Sequence, residues 1–124
     1  MEVRFTDVDS QHHVNHLKIL EWTSHARIQF IDDFLWKTRW LKKLDYVLVH
    51  IEANFIKPAH YPGEISIETR VDKVGGKSLT TNYTVIHGGE ICAQVQCVNV
   101  FHNKETKQVV RIPVSLREEL EKVN

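Results

Sequence analysis

The sequence has no excess of charge of either sign. Lysine and arginine total 16, aspartate and glutamate total 16, and the formal net charge at pH 7 is therefore zero. Nucleic-acid-binding proteins present a surplus of basic residues, so we expect no nucleic-acid partner. Net charge keeps copies of a protein apart in solution, and its absence mildly favours self-association.

Long apolar runs are also missing, and so is a signal-like segment at the start of the sequence. A transmembrane helix needs about 20 consecutive apolar residues. A secretory signal has basic residues followed by a short apolar run. We therefore expect a cytoplasmic protein with no membrane partner.

Cysteine is scarce, since Cys92 and Cys97 are the two in the chain. They are five positions apart in one predicted strand, and an odd spacing puts side chains on opposite faces of a strand. That placement makes a disulfide between them improbable. We expect two reduced thiols in or near the core, which fits a reducing compartment.

One long segment has the apolar spacing of a helix, from Leu17 to Trp36 or slightly beyond, with Asn15 as its N-terminal cap. Before it, Met1 to Phe5 alternates and predicts a short first strand with Val3 and Phe5 on one face. The helix has two apolar stripes, one through Leu17, Leu20, Ser24, Ile28, Ile31 and Leu35, the other through Ile19, Trp22, Ala26, Phe30 and Phe34. Two stripes predict a helix that is buried on more than one side.

From Tyr46 onward the apolar residues alternate, as they do in strands. Gly-Gly pairs at positions 75–76 and 88–89 separate the runs and predict hairpins between antiparallel neighbours. The runs, each with its members on one face, are Val47, Val49, Ile51, Ala53 and Phe55; Ile65, Ile67, Thr69 and Val71; Leu79, Thr81, Tyr83 and Val85; and Ile91, Ala93, Val95, Cys97, Asn99 and Phe101. A short strand at 108–112 follows, and Ser115 to Glu118 has the form of a capping box for a final short helix.

These elements predict an α+β fold in one domain, residues 1–124, in which an antiparallel sheet wraps around one long central helix. Such a sheet has exposed edges, and pairing with a second copy would cover part of that surface. We therefore expect a homodimer at least.

The side chains that can do chemistry are concentrated in residues 5–16, directly before the long helix. The segment contains two carboxylates, three histidines and an asparagine. The start of a helix offers backbone N–H groups without partners and the positive end of the helix dipole. Acid and base side chains beside these groups form a candidate reaction site.

The segment Asp7-Val8-Asp9-Ser10-Gln11-His12-His13-Val14-Asn15-His16 resembles the pattern Asp-x-Asp-x-x-Gly-His-Val-Asn-Asn of the hotdog-fold thioesterases, in their 4-hydroxybenzoyl-CoA thioesterase-like branch. Leu20-Glu21-Trp22 and Ala26-Arg27 are similar to the helix of that family. Phe55-Ile56-Lys57-Pro58-Ala59 and Pro62-Gly63-Glu64 are similar to its strand–loop–strand signature. The resemblance implies an acyl-CoA thioesterase that needs no cofactor and forms a homodimer or homotetramer with the active site at the subunit interface.

The resemblance also implies roles in hydrolysis. Asp9 is the catalytic carboxylate, as general base on water or as nucleophile, and a backbone N–H near His16 polarises the thioester carbonyl. In some relatives a histidine at the position of His16 takes part itself, whereas many have asparagine there. His12 stands where the family usually has glycine, and Ser78 where relatives often place a serine near the pantetheine arm.

The other side chains of the segment are expected to support the site. Asp7 is read as structural, and Asn15 as the helix cap, which could also position the attacking water. His13 is expected to line the substrate pocket.

Further residues are candidate contacts for the substrate. Glu21 either touches it from a neighbouring subunit or forms a salt bridge. Coenzyme A carries phosphates and an adenine, and its candidate contacts are Lys57, Arg70, Lys73 and Lys77.

A metal site is not expected. His12 and His16 are four positions apart, which would suit ligands on one helix face, but both lie at the junction before the helix and no His-Glu-x-x-His pattern is present. Two other functions stay open at this point: hydrolysis of acyl-acyl carrier protein, and binding of acyl thioesters without catalysis.

Overall fold

The computed structural model describes residues 1–9 and 13–124 as one antiparallel sheet with a long helix packed on one face. The elements are α1 (His16–Lys37), β1 (Leu44–Phe55), β2 (Ile65–Val74), β3 (Ser78–His87), β4 (Glu90–Asn103), β5 (Val109–Val110) and α2 (Val114–Glu121). The strand order is β1-β4-β3-β2, with β5 also paired to β4. This arrangement confirms the predicted hotdog fold.

Helix α1 begins where the sequence predicts, because the Asn15 side chain accepts a hydrogen bond from the Leu17 N–H at 2.9 Å. Its buried residues are Ile19, Trp22, Thr23, Arg27, Ile31 and Leu35. The predicted burial on more than one side is wrong for a single chain: Leu17 is 63% exposed, Ile28 44% and Trp36 74%. The helix lies over one face of the sheet, so part of the first stripe is left uncovered.

Strand β1 departs from the predicted alternation. Its pairing with β4 shifts between Leu48 and His50, which marks a bulge at Val49. Val47 pairs with the outward-facing Val100, whereas Phe55 pairs with the fully buried Ala93. The prediction that Val47 shares a face with the later members of its run is therefore wrong, because one extra residue reverses the alternation.

The two hairpins form as predicted. Strands β2 and β3 are antiparallel neighbours across Gly75-Gly76, and β3 and β4 across Gly88-Gly89. Gly88 and Gly89 have φ values of 59° and 77°, which suit the primed turns that match the twist of a hairpin.

The first predicted strand is wrong. Glu2 forms one bridge with Glu64, and the Val3 N–H donates to the Gly63 carbonyl at 2.7 Å, but Phe5–Asp7 is a turn of 3₁₀-helix. Val3 is buried and Phe5 is 66% exposed, so the two do not share a buried face. The Arg4 N–H donates to the Asp7 carboxylate at 2.8 Å, and this local bond replaces a ladder hydrogen bond.

The C-terminal helix α2 forms, but its predicted capping box does not. Pro113 occupies the cap position, without a side-chain hydrogen bond. Ser115 instead accepts a hydrogen bond from the Trp40 indole N–H at 2.9 Å. Strand β5 covers two residues of the predicted five at 108–112.

The strands give the sheet two ends. Helix α1 begins at the end that contains Phe55, His87 and Glu90, and it finishes near Leu44 and Ser78 at the other. Over its 22 residues α1 is about 33 Å long and spans that distance. Both cysteines are free and buried.

Candidate active site

A cleft of about 480 Å³ opens where α1 begins. Its walls come from the segment before the helix, the first turn of α1, and the end of β1 with the loop that follows. The lining residues are Asp9, His13, Val14, Asn15, His16, Ile19, Phe55, Ile56, Lys57, Pro58 and Ala59. We call the end of the sheet that carries this cleft the pocket end.

Asp7 is a buried structural carboxylate, as the sequence predicts. It accepts the Arg4 N–H, and its Oδ1 lies 3.6 Å from the Lys18 ammonium. The Asp7 carbonyl accepts the Asn15 N–H at 2.8 Å, directly before the helix. Asp7 therefore connects the chain before it, at Arg4, with the start of α1, at Asn15 and Lys18.

Asp9 is exposed and lines the cleft. Its carboxylate accepts the His13 N–H at 3.2 Å, and its own N–H donates to the His13 carbonyl at 2.8 Å. A bridge between Val8 and Val14 frames this pair. His12, which stands where the family usually has glycine, lies outside the described residues.

The start of α1 supplies a hydrogen-bond donor to the cleft. The Asn15 side chain caps the Leu17 N–H, and the Lys18 N–H donates to the Asn15 carbonyl at 2.9 Å. The His16 N–H donates to no oxygen atom in the described part of the chain. The His16 ring is exposed and meets the Phe55 ring edge to face, with centroids 5.8 Å apart.

His13 lines the cleft and touches a histidine that sequence reasoning missed. The rings of His13 and His60 stand edge to face with centroids 4.8 Å apart, and His60 is followed by His87 at 6.4 Å. The Nε2 atom of His87 is buried and has no hydrogen-bond partner among residues 1–9 and 13–124. No spacing in the sequence signals this row, because the three residues come from separate segments.

Both charged candidates near the cleft are engaged in ion pairs. The Lys57 ammonium lies 3.1 Å from the Glu90 carboxylate, and the Lys18 ammonium lies 3.2 Å from Glu21. Glu21 therefore forms a salt bridge, one of the two alternatives that the sequence allows. All four side chains are partly or largely exposed, so each pair contributes about 0–1 kcal/mol to stability.

Lys77 and Ser78 do not meet the other candidates within one chain. Ser78 pairs with Val100 at the start of β3, whereas Phe55 of the cleft pairs with Ala93. Ala93 and Val100 are seven positions apart on β4, which corresponds to about 23 Å. We call this second end of the sheet the basic end, after the cations described below.

The cysteines are poor candidates for a nucleophile. Burial raises the pKa of the Cys92 thiol, and likewise the pKa of the Cys97 thiol. The thiolate is the reactive form of cysteine, so both side chains are held in the inert form. In the described ranges no group of three or more His, Cys, Asp and Glu side chains is arranged to hold a metal ion. No helix among those residues is long and apolar enough to cross a membrane.

Comparison with known proteins gives the family. The profile of the thioesterase-like superfamily matches residues 3–120. The chain belongs to that superfamily. Membership identifies it as a thioester hydrolase and confirms the resemblance seen in the sequence.

Individual members of the superfamily match along nearly their whole length. The long-chain acyl-CoA thioesterase FadM of Escherichia coli (strain K12) is 27% identical over 128 residues, with 99% of this chain and 96% of FadM covered. A thioesterase from Thermus thermophilus, solved with coenzyme A and zinc, is 26% identical with a TM-score of 0.81, and 98% and 88% of the two chains are covered. A predicted thioesterase from Bacillus stearothermophilus has a TM-score of 0.85 at 22% identity, over 98% and 91%.

Proposed function

We propose that this protein hydrolyses an acyl-CoA thioester to the free acid and coenzyme A, with Asp9 as the catalytic carboxylate. The single observation that carries the proposal is the position of Asp9 in the same cleft as the His16 N–H, which lies at the start of a helix and has no acceptor among residues 1–9 and 13–124. FadM, a relative over the whole chain, acts on long-chain acyl-CoA.

The chemistry needs a base and an oxyanion site. The Asp9 carboxylate takes a proton from water as the water oxygen attacks the thioester carbonyl, or it attacks that carbon itself to form an anhydride that water then opens. The carbonyl oxygen becomes an oxyanion, which the His16 N–H and the helix dipole stabilise. The oxyanion then collapses, the C–S bond breaks, and the leaving thiolate of coenzyme A takes up a proton.

The surroundings of Asp9 suit this role. The hydrogen bond from the His13 N–H orients the Asp9 carboxylate. The Asn15 Oδ1 atom caps α1, and the Nδ2 group of the same side chain is the candidate to position the attacking water. The side chains of Ile19, Phe55 and Ile56 offer an apolar wall for the acyl group.

We also propose that the protein acts as a homodimer through the free edge of β1. In the described chain β1 pairs with β4 alone, so its other edge keeps unpaired backbone groups. Apolar side chains that are 43–55% exposed follow this strand: Val49, Ile51 and Phe55. Such an edge is a template for a second copy, and Leu17 and Ile28 on the neighbouring helix flank would be covered with it.

A dimer also gives Lys77 and Ser78 a route to the substrate. They lie about 23 Å along the sheet from the cleft of their own chain, so we propose that they serve the cleft of the partner. Lys57 remains a candidate contact for coenzyme A in the same chain, on condition that it exchanges Glu90 for a phosphate. We further propose a cytoplasmic location, which suits two buried thiols without a disulfide.

An acyl carrier protein is the weaker alternative as the thiol carrier. FadM, which matches along nearly the whole chain, is an acyl-CoA thioesterase, and this favours coenzyme A as the carrier.

The test compares Asp9→Asn with Asp7→Asn on a panel of acyl-CoA substrates. Asp9→Asn should lower kcat by about 10²- to 10⁴-fold without changing the unfolding midpoint, because Asp9 is exposed. Asp7→Asn should mainly reduce stability, by about 1–3 kcal/mol, because a buried bond and ion pair are weakened. Full activity of Asp9→Asn would refute the proposal.

A further inference from the structure

Charge is distributed unevenly between the two ends of the sheet. At the pocket end, carboxylates outnumber cations: Glu2, Asp7, Asp9, Glu21, Glu64 and Glu90 stand against Arg4, Lys18 and Lys57. Lys18 and Lys57 are already paired with carboxylates. A CoA thioester carries several negative charges on its phosphates, so the pocket end of a single chain is a poor site for that half of the molecule.

The opposite, basic end has a surplus of cations. The cations of the turn after α1, the β2–β3 hairpin and the β4–β5 turn are Lys37, Arg39, Lys42, Lys43, Lys77, Lys104 and Lys107. The carboxylates in or next to the same segments are Asp45 and Glu105, and Lys37 is paired with Glu119. The first and last of these turns are joined, because the Lys104 N–H donates to the Lys43 carbonyl at 3.0 Å and the Lys104 ammonium donates to the Leu41 carbonyl at 2.7 Å.

Residues 36–43, which we call the basic turn, present cations without a carboxylate partner. Within the described residues, no carboxylate lies within 4 Å of the Arg39, Lys42 or Lys43 side-chain nitrogens. The Lys43 ammonium lies over the Trp40 ring, 5.6 Å from its centroid. Arg39 has a φ of 67°, in the left-handed region that residues with a side chain rarely adopt. Trp36 is 74% exposed. Cations bind phosphate, and an exposed indole face can stack on a purine base.

Strand β1 connects the basic turn to the cleft. It begins at Leu44, directly after the turn, and ends at Phe55, in the wall of the cleft. If its free edge pairs antiparallel with the same edge of a second copy about a two-fold axis, the start of one β1 lies beside the end of the other. The basic turn of one chain then faces the acidic pocket end of its partner, and the surplus charges are complementary.

We infer that the basic turn of one protomer binds the nucleotide of the CoA thioester whose acyl group lies in the partner's cleft. Arg39, Lys42 and Lys43 hold the phosphates, and Trp36 stacks on the adenine. The inference rests on the proposed hydrolysis and adds to it the subunit and the residues that recognise the nucleotide half of the substrate.

The first experiment compares acyl-CoA with acyl-pantetheine, which has the same thioester and no nucleotide. Lys42→Glu/Lys43→Glu should raise KM for acyl-CoA about tenfold or more, with kcat unchanged and acyl-pantetheine unaffected. The control Arg111→Glu/Lys122→Glu makes the same charge change at two exposed positions outside the basic turn, and it should leave KM unchanged. An unchanged KM in the Lys42/Lys43 variant, an equal rise for both substrates, or an equal rise in the control would overturn the inference.

The second experiment tests the subunit. A heterodimer is purified with two different tags, one protomer carrying Asp9→Asn and the other Lys42→Glu/Lys43→Glu. One of its two sites then combines an intact Asp9 with an intact basic turn from the partner, so it should show half the wild-type kcat with the wild-type KM. A heterodimer that keeps the raised KM would show that the turn acts within its own chain, which contradicts the inference.

The outcomes separate this inference from the proposed function. A wild-type protein that hydrolyses no CoA thioester would remove the proposed function. A wild-type protein that hydrolyses acyl-CoA as a monomer in sedimentation would leave the proposed hydrolysis standing and would overturn both the proposed dimer and this inference. Trp36→Ala provides a further variant, which should raise KM for acyl-CoA by several-fold while the thermal midpoint is unchanged, because the indole is exposed.

Discussion

The two ends of the sheet are built differently. The pocket end consists of irregular chain held by backbone hydrogen bonds and by one buried carboxylate, Asp7, and the Val14 N–H donates to the Ala59 carbonyl to join two loops. The basic end consists of the finish of a regular helix and two turns, with side chains that extend into solvent. The pocket end therefore depends on a fixed backbone geometry, whereas the basic end is characterised by the charge of its exposed side chains.

The difference predicts where substitutions act. At the pocket end a substitution that disturbs the backbone, such as one at Gly63, should change stability and activity together, whereas a change of the exposed Asp9 side chain should affect activity. At the basic end most side chains make few contacts, so binding should change while stability does not.

A pair of glycine substitutions gives the largest expected contrast in stability. A Cβ at Gly63, at the pocket end, would lie 2.4 Å from the buried His87 Nε2, and Gly63 has a φ of 152°. Gly63→Ala should therefore destabilise the protein by about 3 kcal/mol. At the basic end, a Cβ at Gly76 would meet Arg111 at 3.5 Å, an ordinary contact, so Gly76→Ala should change stability by less than about 1 kcal/mol.

Urea denaturation of both glycine variants measures the contrast. Equal effects at the two positions would show that the pocket end is as tolerant as the basic end. A loss of activity in Gly63→Ala that exceeds its loss of folded protein would locate the change in the loop that lines the cleft.

Alkaline pH probes the interior between the two ends. Burial raises the pKa of Tyr83 to about 12, and burial together with the hydrogen bond to Asp32 raises the pKa of Tyr46. An unfolded tyrosine ionises near a pH of about 10, so stability present below that pH is lost as the pH rises towards about 12. The loss from Tyr83 should be about 2 kcal/mol.

The measurement is the free energy of unfolding of wild type and Tyr83→Phe from about pH 9 to about pH 12, a range that begins below the ordinary tyrosine pKa. The variant should lose less stability over this interval than wild type does. Parallel curves of unfolding free energy against pH for the two proteins would mean that Tyr83 has the same pKa in the folded and unfolded states.

Exposed ion pairs give the smallest expected effect, and it should be the same at both ends. Lys57 pairs with Glu90 at the pocket end at 3.1 Å, and Lys37 pairs with Glu119 at the basic end at 3.2 Å. Replacing the lysine of either pair by glutamine should cost less than about 1 kcal/mol of stability, because solvent screens both ion pairs. A loss of several kcal/mol in the free energy of unfolding of Lys57→Gln, measured by urea denaturation, would contradict the expectation of equally small effects at the two ends.

Sequence patterns were sufficient for the regular elements. The cap at Asn15 and the 3.6-residue period locate α1, and the Gly-Gly pairs locate both hairpins, because each signal is local and acts within a few residues. The structural role of Asp7 was also predictable, since a carboxylate beside a helix start finds backbone N–H groups.

The patterns failed where the outcome depends on distant partners. The bulge at Val49 is set by pairing with β4, and the exposure of Leu17 and Ile28 follows from where the helix lies on the sheet. Sequence reasoning also grouped Ser78 with Asp9, although they lie at opposite ends, because a resemblance identifies a residue but does not say which chain supplies it.

The uneven charge has a consequence before any two surfaces touch. A neutral chain with a negative and a positive end has a dipole moment, and two such chains side by side attract when their moments are antiparallel and repel when they are parallel. Antiparallel pairing cancels the two moments, and parallel pairing would add them. Physiological salt, with a screening length of about 8 Å, weakens this orientation at long range and leaves it effective near contact.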